Sequence, residues 1–119
     1  MKESIKNFIK EQYGVSPEYL FSDSPDVAVF RNGRNRKWFG VIMGNIPKRK
    51  LGINSDERVD FINLKCDPLM SYSVVDKKGV FPAYHMNKIH WISVLLDGTV
   101  DKEKIKGLIA LSYDLIDQK

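Results

Sequence analysis

The chain has 119 residues, 43% of them hydrophobic and 29% charged, which predicts a single domain over residues 1–119 that folds without disulfides or metals. The formal net charge of +4 permits binding to nucleic acid or another anionic surface but does not require it. One cysteine, Cys66, excludes a disulfide framework, and the lack of a signal-peptide core or of about 20 consecutive apolar residues predicts a cytoplasmic protein with no membrane partner.

The first half of the chain predicts one helix and three strands. Apolar residues recur at helical spacing near the N-terminus, and β-prone segments follow them. An Asn-Gly pair between the first two β-prone segments predicts an antiparallel hairpin closed by a tight turn. The predicted elements are a helix over residues 3–13, strands over 27–30, 37–43 and 59–64, and a long loop over 44–57.

The second half of the chain predicts two helices on either side of one strand. Asp67 and Pro68 mark a helix start, because aspartate caps a first turn and proline suits the first helical position. The predicted elements are a helix from there to about residue 76 with a stop at Gly79, a strand over 91–96, a turn at Asp97-Gly98 and a helix over 101–117. This order predicts an α+β fold, with an antiparallel sheet covered on one face by the N- and C-terminal helices.

Both histidines lie in one short segment before the last predicted strand. His85 and His90 are five residues apart, which does not match a helical zinc site, and no third ligand lies nearby. No nucleophile elbow, P-loop or dinucleotide motif occurs, and we expect Cys66 to be buried and inert. We therefore predict no catalytic residue, metal, cofactor or enzymatic activity, and expect both imidazoles to bond to backbone carbonyls. A small-molecule site at the histidines is a further alternative.

Basic residues concentrate in two segments, which we interpret as neighbouring projections. They are Arg31, Arg34, Arg36 and Lys37 on the predicted hairpin, and Lys48, Arg49 and Lys50 on the loop after it. Cationic loops of this kind can straddle a duplex and contact its phosphates without reading the base sequence. We predict weak, phosphate-directed binding by these residues, with solvated loops as the alternative. The adjacent Trp38 and Phe39 are expected to pack in the core rather than to stack on bases.

The segment Tyr84-His85-Met86-Asn87-Lys88-Ile89-His90-Trp91, followed by Val94-Leu95-Leu96-Asp97-Gly98, resembles the MmcQ/YjbR family of small bacterial proteins. Other agreeing segments are Pro25-Asp26-Val27-Ala28-Val29-Phe30-Arg31, Lys37-Trp38-Phe39, Pro47-Lys48-Arg49-Lys50-Leu51-Gly52 and Ile62-Asn63-Leu64-Lys65-Cys66-Asp67-Pro68. The resemblance covers nearly the whole chain. It implies a frataxin-like (CyaY-like) α/β sandwich and a DNA-binding role of the double-wing type, and it supplies no catalytic residues.

Besides that small-molecule site, the sequence leaves two main functions open. The first is binding of duplex DNA by a monomer through the basic segments. The alternative is a non-enzymatic protein-interaction module, in which the loop that carries His85, Asn87, Lys88, His90 and Trp91 forms a groove for an unknown protein partner. Frataxins bind iron through acidic surface, chiefly on the first helix. The first helix here carries lysines at positions 2, 6 and 10 against only Glu3 and Glu11, which disfavours that role.

Overall fold

Five antiparallel strands form the central sheet in a computed structural model that describes residues 1–118. The elements in chain order are α1 (Lys2–Tyr13), β1 (Ala28–Arg31), β2 (Trp38–Pro47), a 3₁₀ turn (Lys48–Leu51), β3 (Arg58–Lys65), α2 (Pro68–Val74), β4 (Val80–Pro82), β5 (Trp91–Leu95) and α3 (Lys102–Ile116). The strands lie in the order β1-β2-β3-β5-β4. The predicted α+β fold with an antiparallel sheet is confirmed.

The main hydrophobic core lies between the two terminal helices and one face of the sheet. Fully buried side chains from both helices and from four strands meet there, and burial of each such side chain contributes about 1.5–3 kcal/mol. They include Ile5 and Ile9 of α1, Ile105 and Ile109 of α3, and Phe30, Ile42, Ile62, Leu64 and Ile92 of the sheet. This layer confirms that the N- and C-terminal helices cover one sheet face. The opposite face, which we call the open face, carries smaller apolar clusters.

Two strands differ from the sequence prediction. β2 continues to Pro47 instead of ending at residue 43, so the predicted loop over 44–57 begins with strand and a 3₁₀ turn. β4 was not predicted, because it has only three residues and ends at Pro82. Proline is tolerated there because β4 is an edge strand and needs no second ladder partner.

The predicted antiparallel hairpin between β1 and β2 is confirmed, and Asn32 organises its turn. The buried side chain of Asn32 accepts hydrogen bonds from the backbone N–H groups of Arg34, at 2.8 Å, and Asn35, at 3.1 Å. Arg36 adopts a left-handed backbone with φ of 64°. Asparagine side chains commonly replace a backbone acceptor in this way. The Asn-Gly pair therefore lies at the hairpin turn, as predicted, but the turn is wider than a tight turn because the Arg36 N–H closes it onto the Asn32 carbonyl at 2.9 Å.

A β-bulge decides which of two adjacent aromatic residues faces the helices. Phe30 pairs with Gly40, whereas Arg31 pairs with Trp38, so Phe39 is the extra residue in β2. Phe39 consequently packs in the main core, and Trp38 lies half-buried on the open face. Core packing is confirmed for Phe39, while Trp38 remains partly accessible.

Asp76 organises the turn between α2 and β4. One oxygen of its carboxylate accepts hydrogen bonds from the backbone N–H groups of Lys78, Gly79 and Val80, at 2.9–3.0 Å. These three donors stabilise the charged form and lower the pKa of Asp76 from 3.8 to about 2. The carboxylate therefore stabilises the folded state above about pH 4.

We expect Asp76→Asn to weaken the protein near neutral pH but not at pH 2. The folded-state pKa lies below the unfolded one, so the stabilising contribution of the charge is lost as pH falls from about 4 towards 2. Since the carboxylate is solvent-accessible, we expect a difference of only about 1 kcal/mol at pH 6. Urea unfolding of both proteins across this range measures it, and a pH-independent difference would contradict the assignment.

Candidate nucleic-acid interface and neighbouring grooves

The two basic segments lie at opposite ends of β2. The hairpin tip (residues 31–37) precedes this strand, and the 48–50 turn follows it. The ten residues of β2, at about 3.3 Å each, separate the two segments by about 30 Å. The prediction of neighbouring projections was therefore wrong, because β2 extends to Pro47 instead of ending at residue 43 as predicted.

In the hairpin tip, the three arginines form ion pairs within the chain. Arg31 and Arg36 share the carboxylate of Glu18, at nitrogen–oxygen distances of 3.5 Å and 2.7 Å. Arg34 contacts Asp117, just after α3, at 2.8 Å. The hydrogen bond from the Arg34 guanidinium lowers the pKa of Asp117. The hairpin tip is thus fixed to the body of the protein, and part of its charge is neutralised.

In the 48–50 turn, two of the three basic residues are also paired. Lys48 contacts Glu57 at 2.8 Å, and this hydrogen bond raises the pKa of the Lys48 ammonium. Arg49 contacts Asp56 at 2.8 Å. Among residues 1–118, Lys50 has no ion pair. The turn therefore presents one uncompensated cation.

Three lysines without an ion pair in the described chain lie at the end of the sheet that carries the hairpin tip. They are Lys37, Lys65 and Lys88. Lys65 ends β3 and pairs in the sheet with Trp91, whose ring centre lies 5.4 Å from the Lys65 ammonium. Folding thus brings cations from three separate segments to one end of the sheet. We call the surface formed by Lys37, Lys65 and Lys88 the basic end. No sequence signal marks Lys65 as part of this surface, because it is isolated from the other basic residues in the chain.

The segment before β5 folds over the open face of the sheet. The Asn63 amide donates to the Tyr84 carbonyl at 2.9 Å. The Ser93 hydroxyl accepts from the Tyr84 N–H at 3.0 Å and donates to the Asn63 amide oxygen. The Tyr84 ring also packs edge-on against Phe61. This buried network attaches the base of the 85–91 loop to β3 and β5.

Neither imidazole forms a hydrogen bond with any described residue, so the prediction that both bond to backbone carbonyls was wrong. His85 has a left-handed backbone with φ of 62°, and its ring centre lies 3.9 Å from that of Tyr84. His90 is exposed, and its backbone N–H donates to the Asn87 carbonyl at 3.3 Å. The Asn87 side chain accepts from the Ile89 N–H at 2.8 Å. Backbone and amide groups therefore hold the loop.

The 85–91 loop separates two surface grooves. The open-face groove has a volume of about 330 Å³ and is lined by Phe21, Ser24, Val27, Trp38, Val41, Met43, Asn63, His85 and Met86. The α2 groove, on the other side of the loop, has a volume of about 570 Å³ and is lined by Pro68, Ser71, Tyr72, Val75, Lys77, Pro82, Lys88 and Ile89. The 85–91 loop therefore contributes His85 to one groove and Lys88 to the other, and its Trp91 is buried.

Residues that could bind metal or act as nucleophiles are dispersed over residues 1–118. No group of three or more His, Cys, Asp or Glu in this range could hold a metal ion. Cys66 is buried as predicted, and burial raises the pKa of its thiol, which disfavours the reactive thiolate. Within the same range, no helix combines the length and the hydrophobicity that a membrane crossing requires.

These features define a small α+β protein whose sheet has one face covered by helices and a basic end beside an open-face groove. The YjbR family model matches residues 10–115, and the chain belongs to the YjbR family. The resemblance found in the sequence is therefore confirmed.

Relatives agree with this family assignment. The uncharacterized protein YyaQ of Bacillus subtilis (strain 168) is 40% identical over 114 residues, which cover 96% of each chain. A crystal structure of a Pseudomonas syringae protein is 42% identical and matches with a TM-score of 0.92 over 97% of each chain. The Deinococcus radiodurans protein DR2400, at 24% identity, matches all of this chain and 80% of its own with a TM-score of 0.75, which shows the fold alone.

Proposed function

We propose that this protein is a monomeric, non-enzymatic nucleic-acid-binding protein that contacts phosphates weakly through its basic end. The observation that carries the proposal is the position of Lys37, Lys65 and Lys88, which have no acidic partner among residues 1–118 and lie at one end of the sheet. Lysine provides a point charge that suits a phosphate oxygen and reads no base sequence. The DNA-binding role that the family resemblance implies agrees with this surface.

Arg34 and Arg36 add to the basic end although both are paired. Their side chains are 53% and 56% exposed, and exposed ion pairs are weak because water and salt screen them. A phosphate oxygen can therefore replace a carboxylate oxygen of Asp117 or Glu18 at little cost. The hairpin tip then contributes three cations, Arg34, Arg36 and Lys37, to the phosphates of a bound nucleic acid, rather than Lys37 alone.

The 48–50 turn makes a smaller contribution to the proposed nucleic-acid binding. It lies about 30 Å from the hairpin tip, close to the length of one duplex turn of about 34 Å, so a duplex along β2 could reach both segments. Only Lys50 is free of an ion pair there within the described chain. Binding by Lys48, Arg49 and Lys50 stays a prediction. Charge reversal in this turn tests its contribution separately from that of the basic end.

Lys37→Glu is expected to lower the affinity for duplex DNA about tenfold at low salt, because it removes one phosphate contact and adds a repulsive charge. Lys50→Glu is the matched control: it changes the net charge equally, on an exposed lysine without an ion pair, at the opposite end of β2. We expect it to lower affinity less than about twofold. Fluorescence anisotropy with a labelled duplex measures both. Equal losses would show that the 48–50 turn, or net charge alone, contributes as much as the basic end, and would contradict the proposed position of the main binding surface.

A protein-binding role for the α2 groove is the second candidate, and exposed apolar side chains favour it. Leu69, Tyr72 and Ile89 are 83%, 89% and 61% exposed, and the last two line the groove. Apolar residues gathered at one exposed place are typical of interaction sites. Lys77 and Lys88 also line this groove, so a matching partner segment would be apolar and acidic.

This candidate makes a distinct prediction for affinity capture. A stoichiometric protein partner should be lost when Tyr72→Ala and Lys88→Ala are combined, because they remove the apolar anchor and a cation of the groove. Lys37→Glu should retain the same partner, since it lies outside the groove. Loss of the partner in Lys37→Glu but not in the double variant would exclude the α2 groove as its site.

A further inference from the structure

The open-face groove begins directly beside the hairpin tip. Trp38 follows Lys37 in the chain and lines the groove. Its ring lies at 82° to that of Phe21, with 6.5 Å between the ring centres. Phe21 is 43% exposed and Trp38 is half-buried, so both rings are partly accessible. Two rings at right angles form an aromatic corner that offers a flat ring both a face and an edge.

The rest of the lining suits a neutral, planar and polar ring. None of the residues that line this groove within the described chain is a lysine, arginine, aspartate or glutamate. Met43 and Met86 supply polarisable thioethers that adapt to aromatic rings. The imidazole of His85 and the hydroxyl of Ser24 have no hydrogen-bond partner among residues 1–118, so both can bond to the edge of a ligand.

The volume of the groove also fits a ligand site. About 330 Å³ lies within the range of small-ligand sites, about 300–1,000 Å³. The buried network at Tyr84, the residue before His85, attaches this part of the loop to the sheet beside the groove.

We infer that the open-face groove binds one unpaired base of a single-stranded nucleic acid, while Lys37 and Arg36 hold the adjacent phosphates. The inference rests on the proposed nucleic-acid function and deepens it, because it names the form of nucleic acid that the basic end prefers. A base in a duplex is stacked and paired, so it cannot enter the groove without the cost of unpairing. An unpaired base packs on aromatic side chains whatever its identity, so little sequence preference is expected.

Paired titrations test this inference. Fluorescence anisotropy is measured at one low salt concentration with labelled oligothymidylate of about 12 nucleotides and with a duplex of about 12 base pairs. We expect the single strand to bind about tenfold more tightly than the duplex. Phe21→Ala should lower single-strand affinity about fivefold to tenfold and leave duplex affinity unchanged. Ser24→Trp should have the same effect, because it fills the groove from an exposed position.

Tyr72→Ala is the matched control, since Tyr72 is the most exposed aromatic residue but lines the α2 groove. It should leave both affinities unchanged. Equal affinity for the two nucleic acids, or single-strand binding that Phe21→Ala and Ser24→Trp do not weaken, would overturn the inference and leave the phosphate-directed proposal standing. Thymidine monophosphate that binds as tightly as the oligomer would also overturn it, in favour of a free nucleotide. No binding of either nucleic acid would overturn the proposed function itself.

Discussion

Asn63→Leu is expected to destabilise the protein by about 3 kcal/mol and to detach the 85–91 loop from the sheet. Asn63 is fully buried, donates to the Tyr84 carbonyl at 2.9 Å and accepts from the Ser93 hydroxyl. Leucine has a similar volume but leaves that carbonyl without a donor and that hydroxyl without an acceptor. Each buried, unsatisfied group costs about 1–3 kcal/mol. Urea unfolding followed by circular dichroism measures the loss.

Asn7→Leu is the control for this prediction. Asn7 is exposed on α1 and its side chain makes no hydrogen bond within residues 1–118, so a change within about 0.5 kcal/mol is expected. If Asn63→Leu cost no more than Asn7→Leu, the buried network would not be what holds the loop. In the folded fraction, Asn63→Leu should also shift the NMR resonances of His85, because Tyr84 connects the network to that residue.

Ser112→Ala is expected to destabilise the protein by about 2–4 kcal/mol although it removes a single oxygen. The hydroxyl donates to the Phe39 carbonyl at 2.6 Å and accepts from the Lys65 N–H at 2.9 Å. The regular pairing of β2 with β3 ends at Gly40, beside the bulge, and α3 replaces the missing backbone partners through this hydroxyl. Alanine would leave one N–H and one C=O of the backbone without these partners.

Ser73→Ala provides the comparison for Ser112→Ala. Ser73 is exposed on α2, where its hydroxyl donates to the Met70 carbonyl at 2.9 Å, and water can take over that role. A change within about 0.5 kcal/mol is expected for it in the same urea experiment. Equal losses in the two variants would show that α3 does not stabilise the bulge.

The helices could be predicted because their signals are local. Gly14 ends α1 with a left-handed φ of 67°, and Asp67 caps α2 by accepting from the Leu69 N–H at 2.9 Å, as their residue types indicate. β4 could not be predicted in this way. A three-residue strand has no measurable periodicity, and this one exists through its pairing with β5.

The candidate site could be predicted only in part. Composition identifies the basic hairpin tip and the 85–91 loop, but their partners depend on the tertiary fold: Arg34 meets Asp117 across 83 positions of sequence. The open-face groove is assembled from four separate segments, so no single motif marks it. One local signal was available. The nearly continuous apolar run from Trp38 to Met43 indicates that β2 carries apolar side chains on both of its faces, including the open face.

The salt dependence of single-strand binding tests the central claim most directly, namely that the basic end binds nucleic acid through phosphates. The logarithm of the association constant is plotted against the logarithm of the salt concentration for labelled oligothymidylate. Engagement of three to four cations predicts a slope of about −2 to −3, since each neutralised phosphate of a single strand contributes about −0.7. Lys37→Glu should make the slope shallower by about 0.7, and Lys50→Glu should not. A slope near zero, or no binding at about 50 mM salt, would contradict phosphate-directed binding.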